Sequence, residues 1–264
     1  MDYLAEILKH KQIALKKILP LEGKLRAAAI LRNEYAGFRS CLDVGENRLS
    51  VVPELARSTY PFNQNEEDYN PSRLGERMIQ GGAQALSIIT EPHFYKGSFA
   101  DLTQLSKSSQ VPVLSRDYWT HPAEVCQAII GGADAINLIV AAIPQNQLSP
   151  LYAMATGLGL DVMIEVHSLA ETEIALDLDA DFICINHCDP HTLKMDMNLT
   201  DQLIDEIPAD VTVLSTGGID TPEVAQRMLE AGAHGVILGH HLMQAHLPQE
   251  IIAEILQLRY GERE

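Results

Sequence analysis

The stretch Asp161-Val162-Met163-Ile164-Glu165-Val166-His167 runs from apolar residues into a carboxylate and an imidazole. Near-continuous apolar runs of this length read as strands buried on both faces. A carboxylate inside one is costly, so Glu165 is expected where the strand emerges, either paired or facing a solvated pocket. It is therefore a candidate catalytic group; the alternative is a strand-end glutamate that holds an arginine. His167, His187 and His240 each stand at the end of an apolar run, and imidazoles move protons near neutral pH. Ser215-Thr216-Gly217-Gly218-Ile219 and Leu238-Gly239-His240 could bind an anion, because glycine lets backbone N–H groups approach a phosphate. Plain tight turns are the competing reading. His187-Cys188-Asp189-Pro190-His191 matches no common zinc spacing and reads as a polar loop, so no metal is expected.

Such groups matter only if the chain gathers them. Apolar segments at 48–55, 83–90, 111–115, 135–140, 161–166, 181–186, 211–215 and 235–239 predict eight strands. Helical patterns at 72–80, 98–105, 122–130, 147–157, 169–178, 199–206, 222–232 and 241–260 follow them in turn, with a loop at 58–63. Helices at 3–18 and 25–34 come first. An unbroken strand–helix alternation with no linker predicts a single-domain α/β fold, a (β/α)8 TIM barrel. Residues 1–47 form its N-terminal helical extension and 48–264 the barrel; a doubly wound open sheet is the rival. A barrel opens every strand's C-terminal end on one face. That face would collect Glu54, Arg116, Glu165, His167, Asn186, His187 and Thr216 with both glycine loops.

The 264 residues hold 36 acidic and 19 basic side chains, a net charge of -17. No Lys/Arg cluster interleaves with aromatics, so nucleic acid is not an expected partner. A phosphorylated small molecule would need local donors against that field. Four cysteines without a disulfide pattern, and no secretory signal, point to the reducing cytoplasm. No apolar run reaches the ~20 residues needed to cross a bilayer, so no membrane association is expected.

Several motifs carry a family resemblance: Phe94-Tyr95-Lys96-Gly97-Ser98, Pro112-Val113-Leu114-Ser115-Arg116-Asp117-Tyr118, Gly132-Ala133-Asp134-Ala135-Ile136, Ile164-Glu165-Val166-His167 and Ile185-Asn186. On them the chain resembles the indole-3-glycerol phosphate synthase family over essentially its whole length, including the leading helix. The resemblance implies a cofactor-free lyase of tryptophan biosynthesis, working as a monomer or weak homodimer. Its reaction closes the indole ring of 1-(2-carboxyphenylamino)-1-deoxyribulose 5-phosphate by condensation, decarboxylation and dehydration. It also implies catalytic roles for Glu54, Glu165 and Asn186, and phosphate binding by Gly218 and Gly239; Gly217 and His240 of the same glycine loops, with Phe94, are further candidates for substrate or phosphate binding.

In the family's pattern, lysines stand where this sequence has Ala56 and Arg116, a glutamate where it has Thr216, and a serine where it has His240. A guanidinium polarises an oxygen but releases no proton in the working range. An imidazole, His167 or His187, or else Lys96, would then supply the proton. Two alternatives stand beside this reading: a divergent paralogue with a changed reaction on another phosphorylated ligand, and a non-catalytic phosphate-binding barrel.

Overall fold

The computed structural model describes residues 2–59, 64–65 and 69–261. Eight parallel strands close into a barrel: β1 Ser50–Leu55, β2 Leu86–Ile89, β3 Val113–Arg116, β4 Ala135–Ile139, β5 Asp161–Val166, β6 Phe182–Asn186, β7 Thr212–Thr216 and β8 Gly235–Leu238. β8 returns to β1, with Ser50 opposite Gly235 and Val52 opposite Ile237, which rules out an open doubly wound sheet. Two helices precede the barrel, α1 Tyr3–Ile18 and α2 Glu22–Ala29. The remainder are α3 Pro71–Gln80, α4 Phe99–Ser108, α5 Pro122–Gly131, α6 Gln145–Gly157, α7 Leu169–Asp177, α8 Leu199–Leu203, α9 Pro222–Ala231, α10 His240–Gln244 and α11 Pro248–Ile255.

Local chemistry sets most boundaries. Ser98, Ser168 and Thr221 cap α4, α7 and α9 by accepting from the backbone N–H three residues on. Gly132 and Gly232 end α5 and α9 in the left-handed conformation that glycine adopts at little cost. Elsewhere the expectations change. The helix at 241–260 is two helices, because Pro248 pushes Leu247 out of helical geometry and starts α11 at its own first position. The second helix occupies Glu22–Ala29 rather than 25–34, since Arg32 leaves the helical path to donate to the carbonyls of Ile129 and Ala133 and to pair with Asp134. The 199–206 helix tightens into a 3-10 turn at Ile204–Glu206. Of the loop expected at 58–63, residues 60–63 lie outside the described residues, while Ser58–Thr59 pairs antiparallel with Gln64–Asn65.

Strand periodicity positions the site. Side chains alternate between the barrel interior and the helix layer. One inward tier is apolar: Val52, Ala85, Leu114, Ala135, Met163, Cys184, Leu214 and Ile237 pack as a single cluster, closed by Phe38 and Leu42 from the extension. The intervening residues Val51, Ile136, Val162, Ile164, Ile183, Val213 and Val236 belong to the core between sheet and helices. Two residues further along, the inward positions are Glu54, Ser87, Arg116, Asn137, Glu165, Asn186 and Thr216. The interior thus turns from apolar to polar within one tier.

Candidate active site

Six residues of this polar tier form one connected hydrogen-bond set, while Thr216 Oγ1 donates outside it to Ile237 O. Arg116 spans it, with Nη1 2.7 Å from Glu54 Oε2 and Nη2 2.7 Å from Glu165 Oε2. Ser87 Oγ donates to Glu54 Oε2 at 3.1 Å. Asn137 Nδ2 donates to Glu165 Oε2 at 3.0 Å and Asn186 Nδ2 to Glu165 Oε1 at 2.7 Å. Burial by itself would raise the pKa of Glu165, but the Arg116 guanidinium, then His167 and Asn186, hold it well below the carboxylate range. Burial likewise opposes the charge on Arg116, and the two glutamates outweigh it. Glu165 is therefore a standing anion and Arg116 a standing cation.

His167 lies on the same face of its strand as Glu165, two residues on. Ser168 caps α7 by accepting from Glu171 N, and the Glu171 carboxylate turns back to accept from His167 N at 2.9 Å and from its ring Nδ1 at 3.0 Å. The other ring nitrogen, Nε2, is 3.6 Å from Glu165 Oε1, is buried and has no hydrogen-bond partner. Burial would favour the neutral ring, but the carboxylates of Glu165 and Glu171 raise its pKa from 6.5 to about 9. His167 is thus an imidazolium at neutral pH, with its Nδ1–H engaged and its Nε2–H on the wall of a cavity.

That cavity, about 180 Å³, is floored by the Glu54–Arg116–Glu165 bridge and walled by Ile89, Ile139, Tyr95 and Tyr118. Tyr95 and Tyr118 hydrogen-bond to each other. Pro190 and Leu193 cover it from the loop after β6. There Asp196 N donates to His187 O and Asp189 N to Lys194 O, folding the loop into a short hairpin. A wider depression of about 570 Å³ lies at the opposite, N-terminal end of the barrel, bordered by Arg39, Asp43, His234 and Tyr260. Arg39 there is paired with Asp181 and His234 accepts from Val213 N. The smaller cavity has the chemistry. Among the described residues, no group of three or more His, Cys, Asp or Glu could hold a metal ion.

Residues 4–255 match the family described as Indole-3-glycerol phosphate synthase. The chain belongs to the indole-3-glycerol phosphate synthase family. It is 34% identical over 263 residues to the indole-3-glycerol phosphate synthase of Opitutus terrae, across 96% of this chain and 98% of that one. With the enzyme of the same name from Aliarcobacter butzleri it shares 30% over 245 residues, 92% and 93% of the two chains. Thiamine phosphate pyrophosphorylase from Pyrococcus furiosus, at 19% identity, has the same fold over 79% of this chain and 94% of that one, with a TM-score of 0.58.

In this family member Glu54, Arg116, Glu165, His167, Asn186, Thr216 and Gly217 all border the one cavity. His187 does not join them as a proton carrier. It sits one residue past the inward Asn186 and so faces the helices, 1% exposed, with Nδ1 donating to Gly217 O at 2.8 Å and Nε2 accepting from Thr200 Oγ1 at 2.8 Å. Burial lowers its pKa, and the ring is a neutral structural link. Lys96 is exposed and donates to His93 O, while Phe94 packs edge-on against His10 and His93; neither borders the cavity. Gly218 (φ +68°), Gly239 and His240 also lie outside its walls, and Met195 and Met197 rest where a Gly218 side chain would be.

Sequence reasoning passed over Asn137, Ser87 and the tyrosine pair. Asn137 and Ser87 were findable: Ala135-Ile136-Asn137 and Ala85-Leu86-Ser87 put them on the inward parity, two residues after an apolar inward neighbour. The tyrosines sit in loops, where no period applies.

Proposed function

We propose that this chain is a decarboxylating, ring-closing lyase, with 1-(2-carboxyphenylamino)-1-deoxyribulose 5-phosphate as its substrate and His167 as its proton donor. The observation that carries the reading is the imidazolium of His167, its Nε2–H on the cavity wall beside the Glu54–Arg116–Glu165 bridge, ion-paired with Glu165 Oε1 at 3.6 Å but committed to no hydrogen bond. Family membership supplies the reaction class. The ring carbon bearing the carboxylate attacks the ketose carbonyl carbon, whose oxygen takes the proton from His167. Arg116 stabilises the developing alkoxide as a fixed cation. Carbon dioxide leaves, and its bonding pair restores the aromatic ring. Glu54 then takes the proton from the adjacent carbon, and the hydroxyl departs as water on that proton. Glu165 stays charged throughout, holding Arg116 and His167 in place. No cofactor is needed.

Incubating the protein with this substrate should give a rise in indole fluorescence, with a rate that falls as pH climbs through about 9, where His167 loses its proton. No product with enzyme equimolar to substrate would overturn the choice of substrate. A second reading is then favoured by a specific observation, the methionines against Gly218. In it the same barrel acts on another phosphorylated ligand, or binds one without turnover. Titration with inorganic phosphate tests the anion site that both readings share: millimolar binding that is lost on Gly218→Val supports it and no binding argues against both, while turnover of the carboxyphenylamino substrate separates the two.

A further inference from the structure

Helix α1 lies across the loops of the reactive face. Tyr3 N and Asp2 Oδ1 bond the backbone and ring of His191 after β6, and His10 stacks on His93 after β2 with ring centroids 3.5 Å apart. One residue past His10, Lys11 turns inward. Its ammonium is 2.8 Å from Asp117 Oδ1 and 2.9 Å from Glu124 Oε1, 5.5 Å from the centre of the Trp119 ring, and the residue is only 5% exposed. Burial works against that charge, but the two carboxylates more than offset it.

Asp117 directly follows Arg116 in sequence, and its backbone N–H donates to Asn137 Oδ1 at 3.1 Å. Trp119 Nε1 donates to the same oxygen at 3.1 Å. With Oδ1 held by two donors, the amide's Nδ2 is fixed toward Glu165 Oε2, the oxygen that also receives Arg116. We infer that Lys11 is a positioning residue: from the N-terminal extension it clamps the loop after β3, and through Asp117 and Asn137 it fixes the orientation of Glu165 and Arg116. Without the ammonium, two buried carboxylates face each other with no cation between them, and the 117–124 turn has reason to spread. The extension is thereby part of the site. Its effect on rate rests on the proposed ring-closure reading; its effect on geometry does not.

Trp119 is the only tryptophan in the chain, so its indole N–H gives a single nitrogen-15 resonance at the middle of this relay. In the wild-type background, Glu165→Gln should move that resonance, because Asn137 bonds both groups. In Lys11→Met the same substitution should move it by less than half as much. Should Lys11→Met not fold, Lys11→Met/Glu124→Gln, which leaves one carboxylate instead of two, is measured in its place with the same expectation. Leu4→Ala, which loosens α1 while keeping the ammonium, should lower the melting temperature and leave the coupling whole. An undiminished Glu165→Gln response in either Lys11 variant would overturn the inference. Where wild-type protein turns over the carboxyphenylamino substrate, the Lys11 variant should lose about ten- to a hundredfold in kcat with KM within twofold, the cost of a misplaced reacting group; a loss confined to KM would also overturn it. No turnover by wild type, with the resonance coupling intact, overturns the ring-closure reading alone.

Discussion

At the scale of single residues, the site is held by charges that satisfy one another, and their removal has a sign. An unfolded imidazole titrates near 6.5 and the folded His167 at about 9. Its contribution to stability is therefore complete below pH 6.5 and is lost as pH rises through 9, a difference of about 3 kcal/mol. Urea midpoints at pH 6 and pH 9.5 should differ accordingly in the wild type. In His167→Gln this step should vanish, and a step of unchanged size would contradict the assignment. Arg116 makes the converse case. Arg116→Met leaves Glu54 and Glu165 buried without their cation, at a cost of about 3–5 kcal/mol at neutral pH. Arg116→Met/Glu165→Gln should recover part of that loss. Thermal melts of the three proteins read the order, and a double variant no more stable than the single one would mean that the bridge is not the source.

At the scale of elements, two glycines show which turns are forced. Gly97 follows Lys96, whose φ is +57°, in the loop after β2, and a Cβ on it would lie 2.1 Å from Ile89 O. The loop cannot yield there, because the Glu91 carboxylate accepts from the N–H groups of His93, Phe94 and Tyr95, which place Tyr95 on the cavity wall. Gly97→Ala should cost about 2–4 kcal/mol and weaken ligand binding. At Gly157, the last residue of α6, an added Cβ meets nothing within 4 Å. Gly157→Ala should stabilise by about 0.5–1 kcal/mol, since it only narrows the unfolded ensemble. Denaturant titration of both checks the contrast; equal effects would mean that helix propensity, not close approach, decides both sites.

The whole molecule carries a net charge of -17. An anionic phosphate ester approaches that field uphill, so added salt, which screens it, should raise kcat/KM where steering usually makes salt inhibitory. Going from about 10 mM to about 150 mM salt should give a rise of roughly two- to fivefold for the carboxyphenylamino substrate. A flat response would point to a ligand with little net charge. No helix among the described residues is long and apolar enough to cross a membrane.

Strand number, order and the emergence of Glu165 were legible in the sequence because each depends on a local period: apolar runs, caps, and glycines where helices stop. Closure into a barrel followed from the eightfold alternation. The membership of the site was only half legible. Collecting the ends of strands brought together Glu54, Arg116, Glu165 and His167, but it also took in His187, which faces the helices because strand side chains change sides at every residue. Applying that parity would have exchanged His187 for Asn137. Other features depended on contacts between distant segments. The bridging of two glutamates by Arg116, the protonated state of His167, the methionines over Gly218, and the reach of Lys11 across 106 residues to Asp117 were decided by tertiary structure. A side chain's charge state and partner are set by what packs around it, and only the closed fold brings those neighbours together.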